Sequence, residues 1–330
     1  MSEENKYCKA SIRPIENIVE HIRMRPAMYI GRVDETGNLR IISFLFEYLT
    51  SHIEWTKTNF LYLKNNTFQV VFDSVLNFEL IPENINSLAY EMCTLPALSE
   101  TCLIQSNGKE LMYEKGELIS EKEITKVNEL VIRFKLDTTI LSSKRLPKHL
   151  LFNFFKRYAF LYPEKEINVF ENEQTIASFS SKGLLDWFEM KSFESRLLMK
   201  PFQVSIEDAS IDLKAEIIFS IHDAEENFTT ITLPRADVIR ENGTHSKGFL
   251  KGLNTVIDKI LGETTRKFEF TEYRNLVGVF KLSYPNIEFY GPTRNEVGSE
   301  ELVEVFEKGT QEALLANSSF RKTILELFGS

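Results

Sequence analysis

Residues 22 to 31 read Ile-Arg-Met-Arg-Pro-Ala-Met-Tyr-Ile-Gly, and the organisation of the chain can be followed outward from this stretch. Upstream, Ile15, Ile18, Val19 and Ile22 recur at the i, i+3, i+4, i+7 spacing of one helix face. Pro26 is expected to end that helix, because its ring blocks continuation. Downstream, a loop from Gly31 to Gly37 leads into Leu39-Arg-Ile-Ile-Ser-Phe-Leu-Phe-Glu-Tyr-Leu49, whose apolar residues fall on almost every face of a helix. The pattern predicts a surface helix with one buried side, then a second helix buried nearly all round.

At 330 residues the chain exceeds what one hydrophobic core comfortably serves, so two domains are expected. An apolar content of 43% excludes a disordered polymer. No uncharged apolar run approaches the roughly 18 residues of a membrane span, and Met-Ser-Glu-Glu-Asn-Lys is too polar for a signal peptide. A cytoplasmic protein without membrane contact is the expectation. Cys8, Cys93 and Cys102 show no C-x-x-C spacing and suit a reducing compartment as idle thiols. Net charge is −9, and the last 130 residues carry 14 Lys/Arg against 21 Asp/Glu, so composition gives no help to DNA binding, which needs clustered cations. A local basic groove stays compatible with these totals.

Strand-like runs follow at Phe68-Gln-Val-Val-Phe, Leu103-Ile-Gln, Leu130-Val-Ile-Arg-Phe and Ile167-Asn-Val-Phe, with turns such as Ser106-Asn-Gly-Lys between them. Pro147 to Leu161 reads as a helix, and Gly183-Leu-Leu-Asp-Trp-Phe as an amphipathic segment leading into a polar connection near residues 189 to 200. The domain boundary is placed there. Beyond it, Ala215-Glu-Ile-Ile-Phe-Ser-Ile and Thr229-Thr-Ile-Thr-Leu alternate as strands, and a helix is expected from His245 to about Leu261 with Thr244 as its cap. Leu276-Val-Gly-Val-Phe-Lys-Leu is a further strand, and Ser299-Glu-Glu is expected to open a helix with a capping hydroxyl. Phe320, Ile324, Leu327 and Phe328 form a last apolar stripe suited to core or dimer contact.

The opening stretch resembles the R-x-R-P-x-M-Y-I-G signature near the N-terminus of the B subunits of DNA gyrase and topoisomerase IV, the bacterial type II topoisomerases. Further strings resemble that family in the same order: Ala97-Leu-Ser-Glu, Ser106-Asn-Gly-Lys, Glu114-Lys-Gly, Val131-Ile-Arg-Phe-Lys-Leu-Asp and Tyr158-Ala-Phe-Leu. In the second half, Glu241-Asn-Gly-Thr-His-Ser-Lys-Gly-Phe249 is similar to E-G-G-T-H-x-x-G-F, and Leu276 to Leu282 with Pro285-Asn-Ile-Glu-Phe to G-L-T-A-V-I-S-V-K-x-P-x-P-x-F. The resemblance implies an α+β, two-domain protein. Residues 1–197 would form a Bergerat (GHKL) ATPase-like α/β sandwich, and residues 198–330 a transducer domain with a ribosomal-protein-like βαβ fold. The chain stops shortly after Gly291-Pro-Thr-Arg-Asn-Glu-Val-Gly298, where the family carries Q-T-K-x-K-L-G. A counterpart of the DNA-cleavage domain is therefore not expected in it, nor topoisomerisation by this chain alone.

The family hydrolyses ATP with a Glu that activates water and, four residues on, an Asn that holds magnesium. Counted from Gly37, those positions are Phe44 and Tyr48 here, and an aromatic ring neither takes a proton from water nor ligates a hard cation. Glu47 would stand in for one of them only if the register slipped by three residues. The family's adenine-reading D-x-G-x-G-I-P, aligned on Ile81-Pro82, places Leu76 at the Asp and Phe78 and Leu80 at the glycines. Asp73, three residues earlier, reads as a turn or strand-edge residue. No glycine occurs between Gly37 and Gly108, and Ala97 follows Pro82 by 15 residues, which leaves little room for the family's glycine-rich lid. Arg294 falls where a transducer lysine reaches the γ-phosphate. With Pro292 replacing the glutamine beside it, Arg294 is either a vestigial phosphate contact or a solvated or partner-pairing arginine. His245 reads as a helix-start packing residue, and Tyr7 matches the tyrosine of the family's N-terminal arm.

The expected function is a pseudo-ATPase: a scaffold without a bound cofactor, with no catalytic or metal-ligating residues, that engages a protein partner, either a second copy of itself or a topoisomerase subunit. The alternatives are a divergent ATPase using ATP and Mg through Glu47, and a DNA-binding module on the transducer face, which the acidic charge disfavours.

Overall fold

The computed structural model describes residues 17–77, 90–193, 196–222, 229–233, 237–239, 243–262, 276–290 and 296–328. The chain divides into two compact units, the first ending at Ser180 and the second beginning at Ser181, with Phe160–Pro163 counted with the second.

The first unit begins with α1 (Ile18–Met24) and α2 (Pro26–Ile30). Pro26 does end α1, but it also starts α2, where a missing N–H costs nothing. Next comes α3 (Glu35–His52), capped by Asp34, whose Oδ1 accepts from the Thr36 amide at 2.9 Å and the Gly37 amide at 3.4 Å. Gly37 thus lies inside the helix rather than in the loop before it. A Cβ there would sit 1.7 Å from the Arg32 carbonyl oxygen, so only glycine fits. Gly37→Ala is expected to unwind the first turn of α3 or displace the Gly31–Asp34 loop, with a loss of about 2 kcal/mol or more in urea unfolding. An unchanged midpoint would show that the loop yields freely.

The strands β1 (Lys57–Tyr62) and β2 (Phe68–Phe72) follow, then α4 (Tyr90–Ala97), β3 (Ser99–Ser106), β4 (Lys109–Glu114), β5 (Glu117–Glu123) and β6 (Leu130–Leu136). α5 (Lys148–Leu161), β7 (Glu166–Glu171) and β8 (Gln174–Phe179) complete the order. The eight strands form one sheet, β5-β4-β3-β6-β2-β1-β7-β8, antiparallel except for the β1–β7 pair, where Phe60 lies beside Val169. Asn107 and Gly108 take left-handed φ values of 43° and 82°, the geometry a tight hairpin needs. The core of this unit is aromatic: the Phe46 ring lies 5.2 to 6.0 Å from those of Trp55, Phe72, Phe154, Phe155 and Tyr158. α3 is buried over all its middle turns, as its sequence predicts.

The second unit opens with α6 (Leu184–Lys191), then β9 (Phe202–Asp208), β10 (Leu213–Ile221), β11 (Thr229–Leu233) and β12 (Asp237–Ile239). After α7 (Thr244–Leu261) come β13 (Leu276–Ser283), β14 (Phe289–Tyr290), β15 (Glu296–Val297), α8 (Glu301–Leu315) and α9 (Ser318–Phe328). The sheet order is β12-β11-β13-β10-β9, with β11 parallel to β13. α6 falls in this unit, whereas a boundary at 197/198 puts it in the first. Leu184, Trp187 and Phe188 pack with Phe160, Leu161, Ile218, Val277 and Val279 on one face of the sheet, and apolar burial outweighs the polar connection that follows the helix. Ile217, Phe219 and Phe280 face the opposite side, with Phe249, Leu253, Phe306 and Phe320.

Two cap assignments need correction. Gly243, not Thr244, precedes α7, and Thr244 is a buried helical residue; Ser246 Oγ accepts from the Gly243 amide at 2.9 Å. Ser299 does not cap α8, because its hydroxyl instead accepts from the Glu288 amide at 2.8 Å. The Gly248 and Gly252 positions of α7 let α8 approach closely, since a Cβ at either would lie 2.3 or 2.5 Å from the Val303 or Glu307 carbonyl oxygen. His245 is fully buried, with its ring 5.1 Å from that of Phe280 and 5.8 Å from that of Phe306, so it packs the start of α7. Phe320 and Ile324 are likewise core residues.

Candidate functional site

The α3 helix carries Phe44 and Tyr48, the positions that the sequence resemblance aligns with a hydrolytic base and a magnesium ligand. Phe44 is 2% exposed and lies under the Arg40 guanidinium, 4.6 Å from its ring centroid. Arg40 Nη1 is also 3.8 Å from Glu47 Oε1, so Arg40, Phe44 and Glu47 form one stripe of the helix. Glu47 is buried at 7% exposure and held next to a cation. Tyr48 is 6% exposed and stacks on His52 at 4.0 Å. Burial raises the Tyr48 phenol above its ordinary value, helped by Cys93 and Glu91 of α4, so the hydroxyl stays protonated at neutral pH. Ring, phenol and paired carboxylate are what this helix offers.

After β2 the chain turns through Asp73 to Leu76. Asp73 accepts from the Thr56 amide at 2.9 Å and the Thr56 hydroxyl at 2.5 Å, while its own amide donates to the Lys57 carbonyl at 3.1 Å. Burial alone would raise this carboxyl, but those bonds hold it below the usual range. It fastens the end of the β1–β2 pair, the role expected of a turn residue. Leu76 is completely buried, and its amide donates to Ser106 Oγ at 2.9 Å. Phe78, Leu80, Pro292, Arg294 and Tyr7 lie outside the described residues. Among the described residues, no group of three or more His, Cys, Asp or Glu could hold a metal ion, and Cys93 and Cys102 are free thiols.

The strings that carry the resemblance have a structural reason that sequence reading missed. Arg23 Nη1 donates to the Ala97 carbonyl at 2.7 Å, and Nη2 to Asp137 Oδ2 at 2.8 Å. Thr139 completes the knot, donating its amide and hydroxyl to Asp137 Oδ1 at 2.9 and 2.7 Å. One residue from each of three separate strings thus meets in a single clamp, joining α1, the end of α4 and the end of β6. The signal available in sequence was a charged residue in two of those strings, Arg23 between Ile22 and Met24 and Asp137 at the end of a strand-like run.

No family model matches the chain. It is 24% identical over 315 residues to the B subunit of DNA topoisomerase 4 from Borreliella burgdorferi, with 86% of this chain and 50% of that protein covered. It is 24% identical over 403 residues to the B subunit of DNA gyrase from Mycoplasma pneumoniae, covering 98% of this chain and 61% of that one. The chain therefore spans about half to three-fifths of these relatives. An alignment of 403 positions is longer than the 330-residue chain, so the Mycoplasma protein carries segments this chain lacks. Among solved structures, the 43K ATPase domain of Thermus thermophilus gyrase B superposes with a TM-score of 0.76 at 17% identity, covering 93% of each chain. The chain resembles the N-terminal ATPase and transducer region of type II topoisomerase B subunits, and it has their fold: a GHKL ATPase-like α/β unit followed by a transducer-like unit.

Proposed function

We propose that this protein is a pseudo-ATPase of the gyrase B type, a scaffold for a protein partner that works without nucleotide. The observation that carries this reading is the burial of Phe44, Tyr48 and Leu76 at the positions where the resemblance calls for a glutamate, an asparagine and an aspartate. A ring, a phenol and a leucine side chain supply neither a general base nor a magnesium ligand. Filled, apolar surroundings suit a packed interior better than a ligand cavity. The residues present therefore do not fit ATP and Mg.

The partner is a second copy of this chain or a topoisomerase subunit, in keeping with relatives that are themselves named as subunits. Duplex DNA is disfavoured by the net charge of −9. Among the described residues no helix is long and apolar enough to cross a membrane, and the cytoplasm is the proposed compartment.

Calorimetric titration with a non-hydrolysable ATP analogue and magnesium, with melting followed in parallel, tests the reading. No heat and no shift are expected. A ligand present at about 100 times its Kd would stabilise the folded state by about 2.7 kcal/mol, an easily seen rise. Micromolar binding would overturn the proposal in favour of a divergent ATPase. That second reading rests on Glu47, a buried carboxylate on α3 beside Arg40, and Glu47→Gln would then abolish turnover.

A further inference from the structure

A cleft of about 490 Å³ opens in the first unit where three chain reversals meet, at the end of β2 opposite to Leu76. One wall is the turn between β1 and β2, in which Asn65 and Asn66 take φ values of 60° and 54°. The second is the β7–β8 turn, with Asn172 at φ 49°. The third is the segment before α5, and it is held by several side chains. Buried Asn38 donates Nδ2 to the Ser143 carbonyl at 2.7 Å and to the Arg145 carbonyl at 2.9 Å. Ser143 Oγ accepts from the Arg145 amide at 3.2 Å, and Tyr62 Oη donates to the Leu146 carbonyl at 2.9 Å. Backbone fixed in this way is preorganised, which removes ordering cost from any ligand it receives.

The charges of the cleft do not cancel. Lys148 Nζ is paired with Glu171 Oε2 at 2.8 Å, and Glu35 Oε1 accepts from the Ser143 hydroxyl at 3.3 Å. Lys64 and Arg145 line the same cleft and form no ion pair among the described residues. In a chain of net charge −9, a concavity with cations in excess is anomalous. Beside them lie apolar surfaces of Leu63, Leu146 and Pro147 and the Tyr62 ring. Its size lies within the range of small-molecule sites.

The geometry points to this cleft as a binding site for a small organic anion, with an acidic head, phosphate or carboxylate, between Lys64 and Arg145 and an apolar or aromatic body against Tyr62 and Pro147. The cleft lies at the N-terminal end of α3 and shares no lining residue with Phe44, Glu47, Tyr48 or Leu76, so it stands whether or not nucleotide binds there. Arg145 gives the head a planar two-donor fork, which a lysine point charge does not.

Phenyl phosphate is the probe, titrated calorimetrically into the whole chain with and without the non-hydrolysable ATP analogue. Binding with Kd near or below about 1 mM is expected, undiminished by the analogue. Arg145→Ala should weaken it by about tenfold or more, Arg145→Lys by less, and Lys64→Ala also by several-fold. Both side chains are exposed, so the melting temperatures of the variants should match the parent. Absence of heat at about ten times that concentration would overturn the assignment. So would affinity unchanged in both alanine variants, or displacement by the ATP analogue. Inorganic phosphate binding as tightly as phenyl phosphate would overturn the organic body and with it the proposal.

Discussion

Replacing Asp137 with alanine is expected to cost about 3 kcal/mol or more of unfolding free energy, enough to lower the melting temperature by many degrees. The side chain is 2% exposed and accepts from Arg23 and from both donors of Thr139. Burial by itself would raise the Asp137 carboxyl, yet the Thr139 and Arg23 hydrogen bonds keep it below the ordinary carboxylate range. Its removal leaves the Arg23 guanidinium, 21% exposed, with the Ala97 carbonyl as its one acceptor among the described residues, and uncompensated charge accounts for most of the loss. The double variant Arg23→Met/Asp137→Leu should recover part of it, because no charge is then left without a partner, although the Thr139 donors lose their acceptor. Urea unfolding of Arg23→Met, of Asp137→Leu and of the double closes a mutant cycle. Additive losses would show that Arg23 and Asp137 act independently and that the clamp is not one unit.

That clamp explains why so much of the fold was legible. Arg23, Ala97 and Asp137 are far apart in sequence, and each sits in a string whose resemblance to type II topoisomerase B subunits could be read without structure. α3, α5 and β13 were also readable, because their apolar periodicity coincides with the burial that tertiary packing imposes. What could not be read were choices made by distant partners. β1 (Lys57–Tyr62) hides in a polar run, yet Phe60 and Thr58 are buried because the strand lies between β2 and β7. Ser299 looks like a helix cap locally, but the Glu288 amide, from an earlier loop, claims its hydroxyl. Gly37 reads as a loop residue until the Arg32 carbonyl is found against it.

The candidate site rests on the resemblance in a different way: the residue types at Phe44, Tyr48 and Leu76 motivate the proposed loss of hydrolysis, and their burial supports that proposal. Sequence alone could not reveal that Arg40 covers Phe44 and reaches toward Glu47, since i+4 and i+7 relations on one helix permit several rotamers. Nor could it reveal the Tyr62–Arg145 cleft, whose walls come from three turns distant in sequence and whose anchoring depends on one buried amide, Asn38.

The second large effect concerns pH and lies in the second unit. His245 is fully buried at the start of α7 with its ring against those of Phe280 and Phe306, and burial pushes its pKa from 6.5 down to about 3. Between those values the unfolded chain binds a proton that the folded one refuses, so acidification favours unfolding. The stabilising contribution is complete above 6.5 and is lost progressively as pH falls towards 3, at no more than about 1.4 kcal/mol per pH unit. Summed across the window, the upper bound is about 5 kcal/mol, a large share of the roughly 5 to 15 kcal/mol typical of a domain. Most of the change from pH 6.5 to 5 should come from this ring, because carboxylates held low by hydrogen bonds, such as Asp208, titrate later. The measurement is urea unfolding followed by Trp187 fluorescence at steps between pH 7 and 5, for the parent and for His245→Phe. The variant keeps an aromatic ring between Phe280 and Phe306, so the comparison rests on the slope with pH, which should flatten, and not on its stability at pH 7. Parallel slopes would place the acid sensitivity elsewhere and show that the buried imidazole takes its proton without breaking the packing around it.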